Sequence, residues 1–350
     1  MDKVVIGMSG GVDSSVAALL LKQQGYDVIG ATMKLQSDES CSSTVTKMID
    51  DAKRVCDVIG IEHVVLDFTD LFRRTVIKNF VDEYAKAHTP NPCVTCNKYI
   101  KFKALLKKAE EMGAKYIATG HYAMIEYDDE SGKYILRQAN STKDQSYVLY
   151  NMTQYELAHT LFPLFGMEKP EVRKIAEKFN LPVANKPDSQ DICFVPGNDY
   201  AGFIRKYTGT CDEPGDFVDE LGNVLGRHKG IRNYTVGQRK GLGLSLGKPA
   251  FVTKIDPVSN TVTIGSNEDL FSKEVHIKDV NFTLGDVPIK SIKCKAKIRY
   301  AAKAADAILY YNSDKNTAKV IFDCPQRAAT KGQSVVFYDG DVVLGGGVIT

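Results

Sequence analysis

The sequence predicts an α/β domain built on a doubly wound, mostly parallel sheet, followed by two small all-β domains. In the first two hundred residues, short apolar runs alternate with helical stretches, which is typical of βαβ units. The apolar runs lie at 4–8, 28–33, 63–68 and 115–119, and the helical stretches lie at 12–24, 45–59, 71–86 and 97–112. A hairpin is predicted around Asp128–Gly132. After Tyr207 the pattern changes to period-two runs separated by turn signals, as in all-β domains.

Domain borders follow from that change of pattern. A chain of 350 residues is long enough for two or three domains, each with its own core. We predict a first domain over residues 1–207, a small β-rich domain over 208–275 and a C-terminal β-barrel domain over 276–350.

The composition is that of an ordinary globular protein, with 43% hydrophobic and 25% charged residues. The first residues do not combine a charged stretch with an apolar one, and no apolar run approaches membrane-spanning length. We therefore expect a cytoplasmic protein with no membrane partner. The net charge of +2 provides no overall field for nucleic acid, so any RNA binding would depend on a local patch.

The most informative motif is S-G-G-V-D-S-S at residues 9–15, which stands between an apolar run and a helical one. A strand, a glycine turn and a helix N-terminus in succession hold anions, because the free N–H groups of the first helical turn point at the ligand. Gly10 and Gly11 permit positive φ and a close approach of the backbone to a phosphate. The serines add hydroxyl donors, and Asp13 is predicted to ligate the magnesium that accompanies phosphates, directly or through water.

Other interpretations of this loop are less favoured. It lacks the G-K-[ST] ending of a Walker A motif, and its glycines do not fit the dinucleotide fingerprint G-x-G-x-x-G. A plain glycine turn between a strand and a helix is the remaining alternative. Two glycines alone would favour that turn, whereas the whole motif in this context favours phosphate binding.

Cys93 and Cys96 form a C-x-x-C pair directly after the prolines of T-P-N-P. A helix predicted to begin near Asn97 would place Cys96 at a helix N-terminus, where the dipole and nearby lysines favour the thiolate. Cys193 lies in another polar loop. Eight cysteines in a chain of this type indicate thiol or metal chemistry more than disulfides.

Several roles for the cysteines stay open. A structural zinc site would need Cys193 and a histidine, such as His88 or His121, beside the C-x-x-C pair. A thioredoxin-like motif should follow an early strand, and this pair does not. Buried, inert thiols are the expectation for Cys56, Cys294 and Cys324.

Basic side chains alternate at Lys293, Lys295, Lys297 and Arg299. In a strand they would share one face, about 6.6–7 Å apart. A polyanionic partner would relieve their mutual repulsion, and a solvated strand face is the alternative.

The glycine loop by itself resembles the PP-loop of the N-type ATP pyrophosphatases, which split ATP between its α and β phosphates. Together, six motifs in order resemble the tRNA-specific 2-thiouridylases. They are S-G-G-V-D-S-S (9–15), T-P-N-P-x-x-x-C-N-K (89–98), A-T-G-H-Y-A (118–123), K-D-Q-S-Y-V-L (143–149), P-D-S-Q-D-I-C-F (187–194) and G-Q-R-K-G-L-G (237–243). The resemblance runs from residue 4 to the end of the chain.

This resemblance implies an N-terminal domain like the adenine nucleotide α-hydrolases, and a defined reaction. ATP would adenylate O2 of the wobble uridine of a tRNA and release pyrophosphate, and sulfur would then replace that oxygen at C2 as AMP leaves. The cofactor would be ATP with Mg²⁺. The partners would be a tRNA, contacted by the C-terminal domain, and a sulfur-donor protein such as a cysteine desulfurase or a relay protein.

The resemblance also implies roles for particular residues. ATP would be bound by Gly7, Met8, Ser9, Gly10, Gly11, Val12, Asp13 and Ser14, with Met33 and Gly120 lining the adenine and ribose. The target base would meet Asn91, Pro92 and Cys93. The remaining tRNA contacts would be His121, Lys143, Asp144, Gln145, Arg299, Tyr300 and Gln333. Cys96 would be the nucleophile and Cys193 the persulfide carrier, and the two would pair as a disulfide on oxidation.

Cys93 departs from part of the family, in which some members carry aspartate at that position. Three thiols, Cys93, Cys96 and Cys193, could ligate three irons of a 4Fe–4S cluster and leave the fourth open to carry sulfide. A persulfide relay and such a cluster are therefore two hypotheses for the carrier of sulfur.

Two further functions are weighed against thiolation. Another PP-loop enzyme, such as an amidotransferase or a lysidine-forming ligase, would transfer nitrogen and need neither Cys96 nor Cys193. A zinc-bearing RNA-binding module would leave the motif at residues 9–15 unexplained.

Overall fold

Helices and strands alternate through the first two hundred residues, and strands dominate the remainder. The computed structural model describes residues 1–36, 38–187, 192–195, 197, 199–285 and 290–350. The strands are β1 (Lys3–Gly7), β2 (Asp27–Lys34), β3 (Glu62–Asp67), β4 (Tyr116–Ala118), β5 (Ala123–Asp128), β6 (Lys133–Gln138), β7 (Thr160–Leu161), β8 (Gly215–Val218), β9 (Val224–His228), β10 (Phe251–Asp256), β11 (Thr261–Gly265), β12 (Phe271–Phe282), β13 (Ser291–Lys297), β14 (Ala305–Asn312), β15 (Thr317–Arg327), β16 (Ser334–Asp339) and β17 (Val342–Ile349).

The helices complete the predicted alternation. They are α1 (Val12–Gln23), α2 (Asp38–Ile59), α3 (Thr69–Phe72), α4 (Lys78–Ala85), α5 (Pro92–Cys96), α6 (Leu105–Glu111), α7 (Gln154–Ala158), α8 (Lys169–Lys178) and α9 (Tyr200–Thr208). Two π-helical segments, Arg73–Ile77 and Asn97–Ala104, continue α3 into α4 and α5 into α6. No helix among the described residues is both long and apolar enough to cross a membrane.

The predicted parallel sheet is confirmed, with strands in the order β3-β2-β1-β4-β7 and every neighbouring pair parallel. Side chains of β1 alternate between two hydrophobic clusters, because successive residues of a strand face opposite sides. Val4 and Ile6 pack on the side that holds residues of α1, α2 and α8, and Val5 packs on the side that holds residues of α6. Both faces are therefore buried, as the continuous apolar run of β1 indicates.

The C-terminal part forms a closed antiparallel barrel. Its strands follow the order β12-β15-β14-β13-β16-β17, and β12 also pairs with β17, which closes the ring. The predicted hairpin is present as β5 and β6, but it extends this second sheet rather than the parallel one, since β6 pairs with β17. Between the two regions, a separate sheet in the order β10-β11-β8-β9 surrounds its own small core.

The barrel and the α/β part share buried contacts. Tyr147 and Tyr150 belong to the same hydrophobic cluster as Val5, and Val336 and Tyr338 of β16 pack in it too. The Tyr147 hydroxyl donates to the Ser334 carbonyl at 2.7 Å. The predicted borders at residues 207 and 275 stay predictions, although β12 begins at Phe271 and continues across the second one.

We expect Tyr147→Phe to lower the free energy of unfolding by about 1–3 kcal/mol, because the buried Ser334 carbonyl would lose its donor. Urea denaturation followed by far-UV circular dichroism measures this change. Tyr127→Phe is the matched control, since Tyr127 is exposed and its change should stay within about 0.5 kcal/mol. Equal losses in the two variants would contradict the role given to the Tyr147 hydroxyl.

Candidate active site at the carboxyl end of the parallel sheet

The turn from β1 to α1 presents the start of a helix with no side-chain cap. Gly11 is the N-cap residue of α1, and as a glycine it has no side chain to cap the free N–H groups of the first turn. Gly10 has φ +64°, and a β-carbon there would lie 2.7 Å from the Met48 carbonyl oxygen of α2. Glycine is therefore required at position 10 both for its conformation and for space. An uncapped helix start of this kind suits an anion.

The serines of the motif divide into two environments. Ser9 is exposed, and its N–H donates to the Ser14 hydroxyl at 3.2 Å. Ser15 is fully buried, and its hydroxyl donates to the Gly11 carbonyl at 2.8 Å. The hydroxyl of Ser15 therefore stabilises the turn and is not available to a ligand, contrary to the expectation that every serine of the motif offers a donor.

Residues from two other strand ends lie against this turn. A β-carbon at Gly120 would come within 2.8 Å of the Ser14 nitrogen, so the segment after β4 passes directly over the first turn of α1. At the end of β2, the Met33 methyl lies 3.3 Å from the β-carbon position of Gly7. The structure thus brings Met33 and Gly120 to the loop. All three lie at the carboxyl ends of the strands, where parallel sheets of this kind bind their ligands.

Asp13 is engaged by the protein itself. Both of its carboxylate oxygens accept from the Lys169 ammonium at 2.7 Å, and the Tyr122 hydroxyl donates to one of them at 2.7 Å. Magnesium prefers oxygen ligands in open octahedral geometry. Because an ammonium already occupies both oxygens, this arrangement does not fit Asp13 as a direct magnesium ligand. Sequence reasoning missed Lys169, since nothing in its local sequence points to a residue so distant in the chain.

The helix that carries the cysteines begins earlier than predicted. It starts at Pro92 rather than near Asn97, because the Asn91 side chain accepts from the N–H groups of Cys93 and Val94 at 3.2 and 3.4 Å. Asparagine at the N-cap and proline at the first helical position are the favoured pair for a helix start. That signal was present in the sequence within N-P-C.

Cys96 therefore lies inside the helix and is only 8% exposed. Burial raises the pKa of its thiol to about 12, and the charge of Lys101 offsets this only in part. The expectation of a favoured thiolate at Cys96 is wrong for the structure in this form. Burial likewise raises the pKa of Cys193, because neighbouring residues surround much of its thiol. The residue as a whole is nevertheless exposed to solvent.

One hydrophobic cluster holds the two cysteine segments together. Cys96 belongs to it, and so does Phe194, the neighbour of Cys193. The Phe194 ring packs edge-on against Phe72 and Phe80, with ring centroids 5.5 and 5.3 Å apart. Residues 188–191 of the P-D-S-Q-D-I-C-F motif lie outside the described residues.

The three thiols are not bonded to one another. Burial is the main cause of the raised pKa of Cys96, and negative charge on Cys193 or Cys93 would raise it further. All three are free cysteines, and the disulfide between Cys96 and Cys193 stays a prediction for the oxidised protein. Cys93 is exposed, whereas Cys96 is buried.

Metal-binding arrangements were predicted with these thiols. Across the described residues, no three His, Cys, Asp or Glu side chains converge as metal ligands. His88 instead bonds to Glu83 at 2.7 Å, and His121 bonds to Thr119 at 2.7 Å. The thiols as placed therefore fit neither the zinc site nor the three-cysteine site of a 4Fe–4S cluster.

Comparison with known proteins identifies the family. Three family profiles match in succession: a tRNA methyl transferase HUP domain over residues 2–197, a tRNA methyl transferase PRC-barrel domain over 201–266 and an aminomethyltransferase beta-barrel domain over 272–349. A tRNA-specific 2-thiouridylase of Clostridioides difficile is 53% identical over 99% of this chain and 98% of its own. The chain belongs to the tRNA-specific 2-thiouridylase family.

Other members of the family are similarly close. The tRNA-specific 2-thiouridylase of Acetivibrio thermocellus is 51% identical over 99% of both chains.

Among solved structures, a U34-tRNA thiolase from Methanococcus maripaludis aligns with 59% of this chain and 65% of its own, at 21% identity and a TM-score of 0.37. A superposition that weak supports no inference.

Not every residue assigned to tRNA lies at the surface of this thiouridylase-family chain. His121 is 7% exposed and packs against the rings of Phe102 and Phe162 at 5.8 and 6.0 Å. Burial lowers its pKa well below the ordinary value for histidine, which keeps the ring neutral. The prediction that His121 contacts tRNA does not hold in this structure, since the side chain fills a core position.

The other predicted tRNA residues form two groups. Lys143, Arg299 and Tyr300 are exposed, and the Tyr300 hydroxyl donates to the Asp144 carbonyl at 3.0 Å, which joins the barrel to the segment of Lys143. Gln333 donates to the Thr89 carbonyl at 2.7 Å and so brings the barrel to the T-P-N-P segment.

Two more of these side chains serve the protein itself. Asp144 accepts from the Ala139 N–H at 2.9 Å, and Gln145 accepts from the Tyr122 N–H at 3.1 Å.

The alternating basic residues are only partly arranged as expected, since Lys297 is partly buried and Arg299 lies beyond β13, which ends at Lys297. Lys293 and Lys295 are exposed, whereas Ala296 is buried. Lys295 pairs across the strands with Asp306 at 3.4 Å, which reduces its charge toward a partner.

The prediction that Cys56, Cys294 and Cys324 are buried is correct only in part. Cys56 is buried, and burial raises its pKa to about 11, as expected of an inert thiol. Cys294 is half-buried, and Cys324 is exposed, so the prediction of burial was wrong for Cys324. The alternation of buried residues in β15 stops after Phe322, and Cys324 lies in the middle of the exposed stretch that follows.

Alkylation should report the burial of Cys96. At pH 7.5 iodoacetamide should label Cys93 and Cys324 well before Cys96, because the thiolate is the reactive species and the Cys96 pKa is raised to about 12. Between pH 7 and pH 9, labelling of Cys96 should rise roughly tenfold per pH unit, since the pH stays below that pKa. Peptide mass spectrometry measures each site. Cys96 labelling that levels off below pH 9 would contradict this assignment.

Proposed function

We propose that this protein is a tRNA-uridine 2-sulfurtransferase, which uses ATP to replace O2 of the wobble uridine by sulfur. The observation that carries the proposal is the packing of one side chain between the glycine loop and the cluster that contains Cys96. Met33 contacts Gly7 at the loop and packs against the cluster that contains Cys96. Membership of the thiouridylase family supports the same reaction. A nitrogen transfer would leave Cys96 and Cys193 without a role.

Adenylation solves the chemical difficulty of the reaction. The C2 carbonyl of uracil is a weak electrophile, and its oxygen is a poor leaving group. Attack of O2 on the α-phosphorus of ATP breaks the α–β bond and releases pyrophosphate, and AMP then leaves readily from C2. The N–H groups at the start of α1 stabilise the charge on the phosphates, because they are already oriented. Mg²⁺ bound with ATP would neutralise further phosphate charge.

The substrate base would reach the site outside its stack, as chemistry on a base requires. The start of α5 presents the exposed Cys93, with Asn91 and Pro92 before it. Arg299, Tyr300 and Lys143 would contact the tRNA from the barrel side. The hydrogen bond from Gln333 to the Thr89 carbonyl joins these two surfaces.

Sulfur is carried on Cys193 in this proposal. The Cys193 thiolate attacks a persulfide on a donor protein, forms a new S–S bond and releases the donor thiolate. The terminal sulfur then attacks C2, and AMP departs with the oxygen. Cys96 attacks the Cys193 sulfur, which releases 2-thiouridine and leaves a Cys96–Cys193 disulfide. A dithiol reductant restores both thiols.

The cysteine variants separate adenylation from sulfur transfer. Cys96→Ser and Cys193→Ser should lower 2-thiouridine formation by roughly a thousandfold or more, because each removes a sulfur nucleophile. Both should still release pyrophosphate from ATP in the presence of tRNA. Cys324→Ser is the control, since this exposed thiol lies in the barrel and takes no part in the reaction. Normal thiolation by Cys193→Ser would exclude the relay.

The relay also predicts the metal content of the protein. Protein purified without oxygen should contain neither iron nor acid-labile sulfide above background, because the thiols as placed do not converge. Colorimetric iron and sulfide assays, with Cys93→Ala in parallel, test this. About four of each per chain, lost in Cys93→Ala, would replace the relay by a 4Fe–4S cluster.

A further inference from the structure

A lysine outside the glycine loop holds one peptide of that loop. The Lys186 ammonium donates to the Gly10 carbonyl at 2.7 Å and to the Asp51 carboxylate at 2.8 Å. Lys186 lies between α8 and the segment of Cys193, far from the loop in sequence. None of the roles assigned above uses it.

The ammonium is itself held firmly. Asp51 of α2 is 4% exposed and is also bonded by Arg54. Burial opposes the charge on Asp51, but its bonds to Lys186 and Arg54 outweigh burial and lower its pKa. On the backbone side, Arg173 donates to the carbonyls of Ala184 and Lys186 at 2.9 and 3.1 Å. Both ends of Lys186 are therefore anchored.

The hydrogen bond from Lys186 to the Gly10 carbonyl fixes the orientation of the peptide between Gly10 and Gly11. The bond between Gly10 and Gly11 is trans, so its carbonyl and its N–H point in opposite directions. Lys186 draws the Gly10 carbonyl toward Asp51 and α2, and the Gly11 N–H must face away from them. A peptide between two glycines rotates at little cost, because neither residue has a β-carbon. A loop without such a tie would sample both orientations.

We propose that Lys186 is a positioning residue for the nucleotide, which orients the Gly10–Gly11 peptide so that the Gly11 N–H donates to an ATP phosphate. This inference rests on the proposed function, since it takes ATP as the ligand of the loop. The loop contains no lysine of its own, unlike a Walker A motif, and Lys186 places a positive charge beside it from another part of the chain.

The test compares Lys186→Met with Arg54→Met in the full-length protein. Both remove one partner of Asp51, but only Lys186→Met removes the contact to Gly10. Lys186→Met should weaken ATP binding roughly tenfold and raise KM for ATP by a similar factor, because a preoriented donor is lost. Thiolation at saturating ATP should change much less. Lys186→Arg should restore most of the affinity, and Arg54→Met should bind ATP like the wild type.

Isothermal titration with ATP and magnesium, together with melting curves, distinguishes the outcomes. Equal ATP affinity in wild type and Lys186→Met would overturn the inference about Lys186 and leave the proposed function unaffected. Equal losses of affinity in Lys186→Met and Arg54→Met, in step with their melting temperatures, would also overturn it, because they would trace to folding around Asp51. Wild-type protein that binds no ATP would overturn the proposed function itself.

Discussion

The arrangement of the site depends on the absence of a side chain at Gly10. Its left-handed conformation lets the chain leave β1 and enter α1 within a few residues, and its bare α-carbon allows the Met48 carbonyl of α2 to approach. Because α2 is so close, Asp51 can hold Lys186 against the same turn. On the other side, Gly120 packs directly on the first turn of α1. Any β-carbon at these points would separate the elements that surround the phosphate site.

A second constraint concerns the state of the sulfur atoms. The nucleophile of a transfer reaction works as a thiolate, yet burial keeps Cys96 protonated. Phe194 anchors the Cys193 segment in the core that surrounds Cys96, and in the proposed relay this segment moves locally to bring the sulfur atoms together. Surface loops that carry reacting groups commonly move in this way.

The parallel sheet could be predicted from the sequence because its signals are local. The apolar run of β1, the glycine turn and the helical pattern of α1 are neighbours in the chain, and the structure confirms each of them. The start of α5 has an equally local signal, because an N-cap Asn91 followed by Pro92 favours a helix that begins at Pro92. His121 was different. Its motif resembles a tRNA-binding one, but burial between Phe102 and Phe162 depends on packing that no neighbouring residue reveals.

By itself, the sequence determined the order of elements, the PP-loop and the six motifs that resemble the thiouridylases, because glycine conformation, helix capping and hydrophobic period act over a few residues. Three other features depend on how the whole chain packs: Lys169 pairs with Asp13, Lys186 reaches Gly10, and β12 and β17 close the barrel. These contacts join residues far apart in the chain. A charged residue can pair with a partner at any separation along the sequence, and the packing of the whole chain determines which partner lies within reach.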